Sequence, residues 1–134
     1  MTEETYTLVG VYVSRPVHDD LAEYLYDEAG VVDLEEYFDP SASEPPVGDP
    51  GADATAALIE SIVSEFASLY DEADFEAARA VDPDAFVLRH LAADPDTVAN
   101  AREQFQAAGT IQNADLRTVH TAIFDAWLTR RGAR

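Results

Sequence analysis

The chain has no cysteine and no lysine. The first absence excludes disulfides, thiolate nucleophiles and cysteine-ligated zinc. The second leaves eight arginines as the only fixed cations against 27 acidic residues, a formal charge of −19. Long apolar runs are missing too. The longest, Leu8 to Val13, falls far short of the ~20 residues that span a bilayer, so no membrane insertion is expected. The opening Met1-Thr-Glu-Glu-Thr is acidic where a secretory leader is basic, so no such leader is expected either. What is present is 134 residues, 47% of them apolar. That is enough for one domain with a sizeable core, and it speaks against wholesale disorder despite the charge.

A surface this acidic repels itself in dilute buffer. In molar salt the screening length falls to about 3 Å and most of that repulsion vanishes. Abundant Asp, Glu and Ala without Lys resembles the proteins of salt-accumulating extreme halophiles, haloarchaea or their viruses. That composition implies a high-salt cytoplasm or a virion as the setting. The competing reading of the charge is an acidic protein with a basic partner, or a nucleic-acid mimic. Its distribution is uneven. Residues 1–76 carry 20 acids and only Arg15, whereas residues 77–134 carry seven acids and seven arginines. Salt adaptation alone would spread acids over both halves, so the second half reads as shielded by the core, pressed against another subunit, or adapted to an anionic partner.

Residues 5–14 (TYTLVGVYVS) are β-branched and aromatic and predict a strand. Tyr6, Leu8, Gly10 and Tyr12 alternate onto one face, and Thr7, Val9, Val11 and Val13 onto the other. Both faces are largely apolar, so the strand should be paired or buried. No second strand is evident. The expected partner is an irregular stretch near Val31–Val32 or another chain. A helix over 17–29 follows, with Val17, Leu21, Tyr24 and Leu25 as its stripe and Gly30 as its stop. Asp33 caps a short turn containing Tyr37 and Phe38.

Residues 39–53 hold Pro40, Pro45, Pro46, Pro50, Gly48 and Gly51 and read as a loop or arm. From 54 to about 71, Leu58, Ile59, Ile62, Val63, Phe66, Leu69 and Tyr70 follow helical spacing. Another turn starts at Asp74 with Phe75 and Ala78. Asp82-Pro83 and Asp94-Pro95 are helix-start signals. The first opens a predicted helix with Phe86, Val87 and Leu91; the second opens one that ends at Gly109. A last helix over about 114–130 carries Leu116, Val119, Ile123 and Trp127, with Arg130, Arg131 and Arg134 at its end. The expected fold is mainly α. It is a single domain (1–134) built as a bundle of about four to six helices with one N-terminal β-strand. Its parts are strand plus acidic helices over 1–38, the Pro/Gly-rich segment over 39–53, and the helical bundle over 54–134.

Chemistry is sparse. His18 precedes Asp19-Asp20, but a metal-dependent phosphohydrolase needs an earlier His and a later Asp in concert. His90 and His120 lie beside apolar stripes and read as packing. Among 27 carboxylates, close pairs arise by chance, and general acid–base work needs two environments that spacing does not show. No Walker, Rossmann, HExxH, GxSxG or calcium-loop pattern occurs. The sequence therefore reads as non-enzymatic, with no cofactor and no metal.

Two functional readings follow. The first is a structural or adaptor subunit that joins protein partners or copies of itself, a connector or virion component being one such role. Its candidate interface residues are Tyr6, Leu8 and Val11 on the strand, and Trp127, Arg130 and Arg131 on the last helix. Trp and Arg at one helix end suit an interface hot spot. The alternative is a small DNA-binding regulator, because helices near 95–108 and 115–130 have helix-turn-helix proportions. Arg117, Thr121, Arg130 and Arg131 would then face nucleic acid. Against it stand Phe105 four residues before Gly109, a long link, and the lack of a basic stripe to neutralise phosphates.

Overall fold

Local sequence explains where each element begins. The computed structural model describes residues 5–39, 41 and 44–132. Strand β1 (Thr7–Ser14) runs straight into helix α1 (Arg15–Ala29), with Ser14 as the extended N-cap and Pro16 in the first turn. Gly30 ends α1 in the left-handed region, φ 71°, the conformation that favours glycine. Asp33 caps the short α2 (Leu34–Tyr37) by accepting from the amides of Glu35 and Glu36. Asp49 caps α3 (Pro50–Glu72), and Asp74 caps α4 (Phe75–Arg79). Helices α5 (Pro95–Gln112) and α6 (Leu116–Arg130) form the last hairpin. The fold is mainly helical, with six α-helices among the described residues and an N-terminal strand.

The segment after Pro83 departs from expectation. Asp82 and Pro83 open only a 3-10 turn (Pro83–Ala85), and Phe86–Ala93 is a second strand, β2, not a helix. It pairs antiparallel with β1 from Thr7↔Ala93 to Ser14↔Phe86. So β1 is not an orphan, and it does not pair with Val31–Val32. The ladder pairs eight residues on each strand and satisfies the backbone groups that face the partner, and that tertiary demand outweighs a local helix-start signal. Read at period two, β2 is consistent with its pairing: Val87, Arg89 and Leu91 fall opposite Val13, Val11 and Val9. Val9, Val11, Val13 and Leu91 are buried in the core with Leu21, Leu25, Ile59, Ile62 and Phe124.

Helix α6 is the centre of the molecule. From Thr118 to Phe124 every residue is buried, and so are Ala126, Trp127 and Leu128. Two of its polar side chains complete the free edge of β1. The Tyr12 amide donates to His120 Nδ1 (3.1 Å), and the Ser14 amide donates to Thr121 Oγ1 (3.1 Å). Nearer the start, the Tyr6 amide donates to the Pro45 carbonyl at 2.9 Å. Across the sheet, Thr55 Oγ1 of α3 accepts from the Ala92 amide and lies 2.8 Å from the Ala92 carbonyl, to which it can donate. Helix side chains thus stand in for missing neighbouring strands.

Within 39–53, Pro40, Ala42 and Ser43 lie outside the described residues, as does Arg134 at the other end. The rest is tied down. Tyr6 Oη donates to Asp53, and Tyr37 Oη donates to Asp49 while accepting from the Gly51 amide. The Tyr37 ring lies so close to Gly51 that a Cβ there would sit 2.4 Å from it. Gly109 does not end α5. The helix runs one turn further to a left-handed Asn113, φ 51°. Glycine fits at 109 because a Cβ would come 3.1 Å from the Ala114 carbonyl.

Candidate interaction surface

Half of the eight candidate residues from the sequence, Tyr6, Val11, Thr121 and Trp127, lie inside the protein, and Leu8 is half-buried. Trp127 packs edge-on against Tyr24 at 5.0 Å, and its Nε1 donates to Ser61 Oγ at 3.1 Å. Arg131 stacks over the Trp127 ring at 4.2 Å and bonds Ser61 and Glu65. Arg130 donates to Glu72 and Glu65. These bonds hold the Glu65 carboxyl below its ordinary range, with the Ser61 hydroxyl as the largest cause, and hold the Arg130 guanidinium above its own through Glu72. Trp127 is core, and Arg130 and Arg131, exposed at the surface, clasp α6 to α3.

The DNA-contact set is scattered as well. Thr121 is buried against β1. Arg117 lies 3.6 Å from Asp115 and 5.2 Å from the Phe86 ring centroid. Thirteen residues of helix, roughly 20 Å, separate it from Arg130. A recognition helix needs one open face for the groove. The buried run from Thr118 to Phe124, resumed at Ala126 to Leu128, interrupts such a face on α6.

The histidines have ordinary partners. His18 Nε2 accepts from Arg89 Nε at 3.1 Å, and its Nδ1 lies 3.1 Å from Asp19. His120 packs edge-on to Phe105 and is pushed down to about 4 by burial. Because Nδ1 accepts the Tyr12 amide proton, the neutral ring carries its own proton on Nε2. Among the described residues no group of three or more metal-ligating side chains converges, and no helix there is long and apolar enough to cross a membrane.

A different surface emerges on the outward face of the two strands. There the even-numbered residues of β1 and β2 meet as cross-strand pairs Gly10↔His90, Tyr12↔Leu88 and Ser14↔Phe86. Tyr12 is 46% exposed, Leu88 38%, and Leu116 at the start of α6 44%. Gly10 carries no side chain, so Leu88 and His90 lean across the position: a Cβ there would lie 3.3 Å from Leu88 Cδ1. Tyr12, Phe86, Leu116 and Arg117 frame a hollow of about 560 Å³. Beside it, Gly10, Arg102, Gln106 and His120 line a smaller one of about 180 Å³. On the β2 side, Leu88 and His90 border a third of about 520 Å³, walled by Asp33, Glu35, Glu36 and Asp39.

This arrangement suits contact by apolar burial with charges at the margin. Full burial of a Leu or Phe contributes about 1.5–3 kcal/mol. These side chains are already more than half covered, so each has roughly 1 kcal/mol left to gain. Sequence reasoning placed Tyr12 on the correct strand face but missed the surface, because reading 86–91 as a helix separated Leu88 from Tyr12. FVLRHLAA shows no apolar–polar alternation, and the short apolar run Phe86-Val87-Leu88 was the one available signal. No protein-family model, curated protein or solved structure matches the chain.

Proposed function

We propose that this domain is a non-catalytic assembly subunit for a high-salt setting, a haloarchaeal cytoplasm or a haloviral particle, and that it docks on a protein partner through the outward face of β1 and β2. One observation carries the reading. A chain of net charge −19 leaves Tyr12, Leu88 and Leu116 in the open beside one another, where salt adaptation would place carboxylates. Molar salt screens the repulsion between acidic surfaces, so such a face can close on a partner in brine where dilute buffer holds the two apart. The acid-poor second half supplies most of the face, in keeping with its charge balance.

The absence of cysteine gives a direct test. A single thiol introduced by Leu88→Cys reports the face, and one introduced by Val32→Cys, at a position 83% exposed, reports open solvent. The expected result is a ratio of maleimide labelling at position 88 to that at position 32 at least tenfold lower inside salt-loaded host cells than in dilute purified protein. An unchanged ratio would refute the reading.

A further inference from the structure

The two margins of the face carry opposite charge. On the β2 side, Asp33, Glu35, Glu36 and Asp39 stand against Arg89, which lies 3.6 Å from Glu35. On the β1 side stand Arg102 of α5 and Arg117 of α6, the latter 3.6 Å from Asp115. Arg102 has no carboxylate within 4 Å among the described residues. The order across the surface is therefore an acidic wall, an uncharged floor of Leu88, Tyr12 and Phe86, and a basic wall.

We propose that the occupant of this face is a second copy of the chain, in an isologous dimer whose two-fold axis runs along the strands; the inference rests on the reading of the face as an assembly surface. Such an axis turns the acidic wall of one protomer over the basic wall of the other, twice, with the two apolar floors between. An axis across the strands sets acid against acid and is disfavoured. A uniformly acidic partner satisfies Arg102 and Arg117 but confronts the α2 carboxylates, and a uniformly basic partner does the reverse. A partner bearing the same dipole satisfies both walls, and a second copy bears it by construction. The floors supply the holding energy and the walls fix the orientation. Two chains of this charge approach only when screened, so the dimer strengthens as salt rises.

The test is light scattering in molar KCl over a range of protein concentrations, with circular dichroism to check folding. Three samples are compared: wild type; Glu36→Arg/Asp39→Arg, with both walls basic; and Arg102→Glu/Arg117→Glu, with both walls acidic. The wild type is expected to be dimeric, and each variant to need at least a tenfold higher concentration to pair with itself. An equimolar mixture of the two should pair like the wild type, since both seams are complementary again. Failure of the mixture to pair overturns the proposed orientation. In the dimer, the thiol of Leu88→Cys should label at least tenfold more slowly than in dilute monomer. A dimer that leaves this thiol fully reactive overturns both this inference and the face itself. A wild type that is monomeric at every concentration overturns the second copy alone. Shielding of position 88 in the host would then assign the face to a different protein.

Discussion

Lowering the pH should loosen the seam between α6 and β1 through His120. This ring is buried, its Nδ1 accepts the Tyr12 amide, and desolvation pushes it down to about 4 from 6.5. Above pH 6.5 the ring is neutral whether the chain is folded or not, and it contributes no pH dependence. Between 6.5 and about 4 the unfolded chain binds a proton that the folded chain refuses, so stability falls as the pH falls. Below about 4 both states are protonated and the loss is complete. At 1.36 kcal/mol per unit, the whole effect is about 3 kcal/mol, of which about 2 kcal/mol is reached by pH 5.

His120→Asn provides the comparison. Its side-chain carbonyl stands where Nδ1 accepts, and it does not titrate. Lost packing against Phe105 costs it about 1–2 kcal/mol at neutral pH. Urea unfolding in molar KCl, followed by the fluorescence of the single tryptophan, measures both proteins at pH 7.5 and pH 5. Carboxylate titration is common to the two and cancels. The stability advantage of the wild type should shrink by about 2 kcal/mol on going to pH 5, to near zero or below. An advantage that is unchanged between the two pH values would refute the assignment of a buried, neutral His120 to this seam.

Other consequences are simpler to check by the same unfolding assay. Thr121→Val strands the Ser14 amide in the core and should cost about 1–3 kcal/mol, whereas Thr121→Ser keeps the acceptor and should lose less. Trp127→Ala should cost about 3–5 kcal/mol as a core truncation; Arg131→Ala, at a half-exposed position, should fall well below that. If the reverse order were found, Trp127 would not be core. Raising KCl from about 0.2 M to about 2 M should lift the thermal midpoint by roughly 10 °C as screening relieves the excess of carboxylates. A flat midpoint would remove the salt-adaptation reading.

The legible parts of this fold were those decided locally. Gly30, Asp33 and Asp74 declared helix ends through their own conformation or cap, and the spacing from Leu58 to Tyr70 declared α3. The strand at 7–14 showed itself by β-branching. Less legible was anything decided at a distance. Asp82-Pro83 is a sound start signal that the chain uses for a single turn, because Phe86–Ala93 is needed as the ladder for β1. Trp127 and Arg131 looked like a hot spot by composition. Their tie to Ser61, 66 residues away for the Trp127 bond, has no local signature. His120 and Thr121 read as filler and as DNA contact, since nothing on α6 announces that its polar side chains bond a strand edge. The candidate face was invisible for the same reason: Tyr12 and Leu88 become neighbours only through strand pairing.

The distance between the partners of β1 also sets an order of events. Its ladder begins at Phe86, and its outer edge is completed by residues 107 and 108 positions further along the chain. On the ribosome, a strand apolar on both faces therefore emerges early and remains without its native partners while about 100 residues are added, on the order of 5–20 s at ordinary elongation rates. Helices α1 and α3 can form in that interval, but neither offers β1 a ladder. Native closure waits for the last helix, so truncations within α6 should leave β1 available to the wrong neighbours, and the final fifteen residues of helix decide whether the first strand is safe.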